Sequence, residues 1–174
     1  MAGNADYTPE EWWLLRETPL RVGAAIMVAA PSGTGGTLRE IMANATAIAN
    51  ASKSFPDSDL IKALTEPEDK EHMYRPSPAA EGDSNRHARE ERVKKETLDM
   101  CRRAADLLDR KVASDVALEY KQWVMQVGSD VACAAEEGGI LRIGAKSVSE
   151  PEVKLLVELA AALRLSPYAP PEIE

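Results

Sequence analysis

Residues 114–139 read SDVALEYKQWVMQVGSDVACAAEEGG, and this stretch decides the fold. Val116, Tyr120, Trp123, Val124, Val127, Val131 and Ala134 recur at steps of three and four, the spacing of one face of an α-helix. Strict alternation, which a strand needs, is absent. Ser114 is placed to cap the start, and Gly138-Gly139 supplies the left-handed residue that ends a helix. The neighbouring stretches follow the same rule. Upstream, Val93, Met100, Cys101, Ala104, Leu108 and Val112 form the apolar stripe of a helix that begins near Ser84 or Asn85. Glu90–Lys94, Glu91–Lys95, Asp99–Arg103 and Asp106–Arg110 are spaced as i,i+4 pairs along it. Downstream, Ser149 caps a last helix with Glu152 three positions on. Val148 and Val153 are placed as a hydrophobic staple, and Val153, Leu156, Val157, Ala160 and Leu163 face inward.

The N-terminal part is also helical. Thr8-Pro9-Glu10-Glu11 is a capping box with proline in the first turn, followed by Trp12-Trp13-Leu14-Leu15. Thr18-Pro19 predicts a break, because proline lacks an N–H and disfavours helical geometry in the residue before it. A second helix is therefore expected from Pro19 to about Ala30. A third starts at Thr37, with Ile41, Ala45, Ile48 and Ala49 on one face and Ala43, Ala47 and Ala51 on a neighbouring stripe. A short fourth helix, capped by Asp57, carries Leu60, Ile61 and Leu64. Between residues 65 and 85 periodicity disappears among Pro67, Pro76, Pro78 and Gly82, which reads as a long mobile connector. The expected architecture is all-α: one compact domain and bundle of about seven helices. Residues 1–64 form an N-terminal group, 65–85 the connector, 86–165 a C-terminal group and 166–174 a Pro-rich tail.

Composition agrees. The 174 residues are 44% hydrophobic and 29% charged, an ordinary globular balance. Aromatics are only 5%, so the core relies on Ala, Leu, Val and Ile, whose small size lets helices approach closely. A formal charge of −8 argues against nucleic acid and anionic membranes as partners. The most apolar stretch, residues 20–30, is too short for a membrane span. Residues 1–6 carry neither a basic start nor an apolar run, so a cytoplasmic location is expected. Cys101 and Cys133 sit on helical stripes and read as free thiols of a reducing compartment, with a helix-to-helix disulfide as the alternative.

Two groups of residues carry a resemblance. One is Thr8-Pro9-Glu10-Glu11-Trp12 with Pro19, Pro31-Ser32-Gly33 and Glu40. The other is Tyr120-Lys121-Gln122-Trp123 with residues 136–140, Gly144 and Val148-Ser149-Glu150. Together they resemble a group of small bacterial helical proteins of uncharacterised function. That resemblance implies an all-α fold and a bacterial cytosolic setting, and it brings no catalytic residues with it.

Candidate sites are few. Pro31, Ser32, Gly33, Thr34, Gly35, Gly36 and Thr37 form a glycine loop like a phosphate cradle, but Ala30 stands where a P-loop has its first glycine and Gly36 where it has its lysine. The lysine supplies the main contact to the β- and γ-phosphates, so the plainer reading is a helix–turn–helix joint. Backbone N–H groups at the following helix start still suit a small anion. Residues 138–147 form a second, apolar glycine loop. Its Arg142 and Lys146 are candidate anion partners, against the plainer reading that Ile140, Leu141 and Ile143 fold back on the core. Trp12 and Trp13 point about 100° apart on a helix, so one can anchor the core while the other meets a partner subunit; burial of both is the alternative. His72 and His87 lie in or beside the connector, without the Glu-x-x-His pairs of a di-iron bundle or the close Cys/His spacing of zinc. No metal, cofactor, nucleophile–base pair or Gly-x-Ser-x-Gly elbow is apparent. The expectation is a non-enzymatic helical protein that self-associates, most simply as a dimer, or binds protein partners. The alternatives are an anion- or small-molecule-binding bundle using the glycine loops and, last, an enzyme of unrecognised type.

Overall fold

The computed structural model describes residues 6–29, 38–66, 86–136 and 148–165. Their regular structure is entirely helical: α1 (Pro9–Ala29), α2 (Leu38–Ser52), α3 (Asp59–Thr65), α4 (Arg86–Lys111), α5 (Ser114–Glu136) and α6 (Glu150–Ala162). No helix among the described residues is long and apolar enough to cross a membrane. Nearly all of the expected connector, and the whole of the tail, fall outside the described residues.

The two helices expected on either side of Pro19 are one. Pro19 lies inside α1 and is buried there. Its missing N–H leaves the Leu15 carbonyl without its helical donor. The Tyr120 hydroxyl of α5 donates to that carbonyl at 2.8 Å, in the buried interior. The Thr18 hydroxyl donates back to Leu14 O at 2.7 Å, holding the residue before the proline in the helix. Burial pushes the Tyr120 hydroxyl pKa far up, so it remains a donor at any working pH. The break was expected because the compensating group lies on another helix.

The caps explain where α1 and α6 begin. Glu11 N–H donates to Thr8 Oγ1 at 3.2 Å and Thr8 N–H to Glu11 Oε2 at 2.8 Å, a reciprocal capping box. Ser149 and Glu152 close a second box over α6, with the Ser149 N–H 3.0 Å from Glu152 Oε2. The far end of α6 is a Schellman motif: Leu165 N–H donates to Ala160 O and Arg164 N–H to Ala161 O. Arg164 takes the left-handed position, at φ 59°. Other boundaries shift by one residue: Ser58, and not Asp57, occupies the N-cap of α3, and Ser114 is the first residue of α5.

Helices α1, α4, α5 and α6 are in mutual contact, and α2 and α3 pack beside them against α1 and α5. Side-chain contacts give the directions. Tyr120 meets Leu15, and a Cβ on Gly128 would meet Val22, so α1 and α5 run parallel. Lys111 at the end of α4 meets Glu11 at the start of α1, with Nζ 2.5 Å from Glu11 Oε2, so these two run antiparallel. That ammonium also lies 5.4 Å from the centre of the Tyr7 ring, which packs on Trp12. Gly128 faces Leu156 while Lys121 and Arg164 share Asp109, so α6 runs against α5. The core joins Leu15, Val22 and Ile26 of α1, Leu108 of α4, Tyr120, Trp123 and Val127 of α5, and Leu156 and Leu159 of α6, each almost wholly buried.

Two expected surfaces are corrected. Among the α2 residues whose burial is described, Asn44, Ala47 and Ala51 are buried, whereas Ala45 and Ala49 are exposed. Asn44 faces inward because its Nδ2 donates to Leu20 O of α1 at 2.8 Å. Its amide packs where Gly23 has no side chain: a Cβ there would lie 2.2 Å from Asn44 Oδ1. On α4, charges expected to pair along the helix reach across it. Lys94 meets Glu158 of α6 at 2.7 Å, and Asp106 meets Arg164.

Candidate functional site

A helix with apolar residues nearly all round cannot bury every side in a small bundle. The core side of α1 is filled by Trp12, Leu14, Leu15, Thr18, Val22, Ala25 and Ile26, all buried. Trp13 points the other way and is 50% exposed, a large fraction for a tryptophan on a helix packed this firmly. At 100° per residue, Leu20, Ala24 and Val28 fall within the same outward sector as Trp13. All three are partly exposed and lie outside the buried cluster. Glu17 falls in the same sector but is buried, and its Oε1 accepts from Arg21 Nε at 2.9 Å. Among the described residues of α1, Trp13 is thus the exposed large apolar side chain, and the sector that continues from it is partly covered.

Among the described residues the other large exposed apolar side chains are Leu118 on α5 and Val157 on α6, both 45% exposed. Each stands singly, as surface apolar residues commonly do. The most concentrated charges are Asp106, Asp109, Lys121 and Arg164. Lys121 Nζ donates to Asp109 Oδ1 at 2.5 Å, and Arg164 NH1 donates to Asp109 Oδ2 at 2.7 Å. Lys121 first, with Arg164 adding to it, holds the Asp109 carboxyl below the usual carboxylate range. These groups satisfy one another and tie α4, α5 and the end of α6 together, which is a structural role.

Among the described residues no group of three or more His, Cys, Asp or Glu side chains is placed to hold a metal ion. Both cysteines are free thiols. Burial pushes the Cys101 thiol up to about 12, so almost none of it is thiolate at neutral pH.

Of the residues singled out in the sequence, the structure separates the two tryptophans: Trp12 is 6% exposed and belongs to the core, and Trp13 faces out. Ser32, Gly33, Thr34, Gly35, Gly36, Thr37, Arg142 and Lys146 lie outside the described residues. What the sequence reading missed is the continuation of the Trp13 face through Leu20, Ala24 and Val28. The signal was present at steps of seven and four, but splitting the helix at Pro19 placed Trp13 and Leu20 on different elements.

No family model, curated protein or solved structure matches this chain.

Proposed function

We propose that this chain is a non-enzymatic helical protein of the bacterial cytosol that works through protein association, self-association being the simplest form. The observation that carries the reading is Trp13, half exposed on a helix whose opposite side is locked into the core. Tryptophan is enriched at interface hot spots, where a rigid side chain loses little freedom on binding. The test is site-specific photo-cross-linking. A photoreactive phenylalanine analogue replacing Trp13 is expected to give one discrete adduct in cells, and the same group replacing Val157 none. Absence of any adduct at position 13 removes the reading.

One observation favours a second reading, a bundle that binds a small anion through residues 31–37 and 138–147. Because α1 and α5 run parallel, Ala29 and Glu136, the last described residues before the two glycine stretches of the sequence, lie at the same end of the bundle. Arg142 and Lys146 would supply the charge. Thermal shift across inorganic phosphate and nucleotides, with native mass spectrometry of the purified protein, tests it. An unshifted melting temperature together with a bare chain mass would leave it without support.

A further inference from the structure

We draw no further inference here: the strongest candidate, the Glu152 carboxylate buried at the start of α6 with its Oε1 lacking a hydrogen-bond partner among the described residues, rests on one oxygen of a helix cap, and no second group in the structure shows what it would bind.

Discussion

At the scale of the residue, the fold turns on a hydrogen bond that replaces a missing one. Pro19 removes the donor for the Leu15 carbonyl, and Tyr120 restores it at 2.8 Å. Tyr120→Phe keeps the packing but leaves that carbonyl buried and unpaired. It is expected to cost about 1–3 kcal/mol, the cost of an unsatisfied buried polar group. In a Pro19→Ala background the restored N–H serves the carbonyl, so the same substitution is expected to lose most of its effect. Urea unfolding of the four proteins measures the coupling. Additive effects would show that the hydroxyl is not acting through Leu15. Asp109 gives a pH-dependent counterpart. Lys121 and Arg164 lower its pKa in the folded state. Its contribution is therefore complete above the unfolded carboxylate value of about 4 and is lost as pH falls through the lower folded value. Asp109→Asn is expected to reduce stability at neutral pH and to flatten the acid side of the stability–pH curve. An unchanged acid limb in thermal melts would contradict this.

At the scale of the element, helix identity was legible in the sequence, and the reason is local. Capping boxes at Thr8–Glu11 and Ser149–Glu152 and the stripe on α5 involve residues within one or two turns of each other, so spacing alone reveals them. What was not legible depended on a neighbour far along the chain. Pro19 reads as a break until Tyr120 is in view, and Ala45 and Ala49 read as part of the inner face of α2 until Asn44 finds Leu20 O. The site suffered in the same way, since a helix cut at Pro19 hides the sector from Trp13 to Val28. The α1–α2 contact has its own test. A Cβ at Gly23 would displace the Asn44 amide, so Gly23→Ala is expected to cost about 1–3 kcal/mol as overpacking, outweighing the propensity gain of roughly 1 kcal/mol. Adding Asn44→Ala should recover part of that loss in chemical denaturation. If Gly23→Ala instead stabilises the protein, the close approach is not as described.

At the scale of the whole molecule, one helix serves two surfaces. Helix α1 packs against α2, α3, α4, α5 and α6, and still presents Trp13 to solvent, with Leu20, Ala24 and Val28 partly exposed in the same sector. The charge pairs that cross between helices, Lys94–Glu158, Lys111–Glu11 and Arg164–Asp109, bind the bundle away from Trp13. The division of labour predicts three tryptophans in two environments, Trp12 and Trp123 at 6% and 1% exposure against Trp13 at 50%. Acrylamide quenching of tryptophan emission reads this division directly, with Trp13→Phe identifying the accessible component. In dilute protein one emitting population should be quenched readily, and it should become shielded as concentration rises through the dimer range. An accessible population that stays equally quenchable at every concentration, or that persists in Trp13→Phe, would contradict the account.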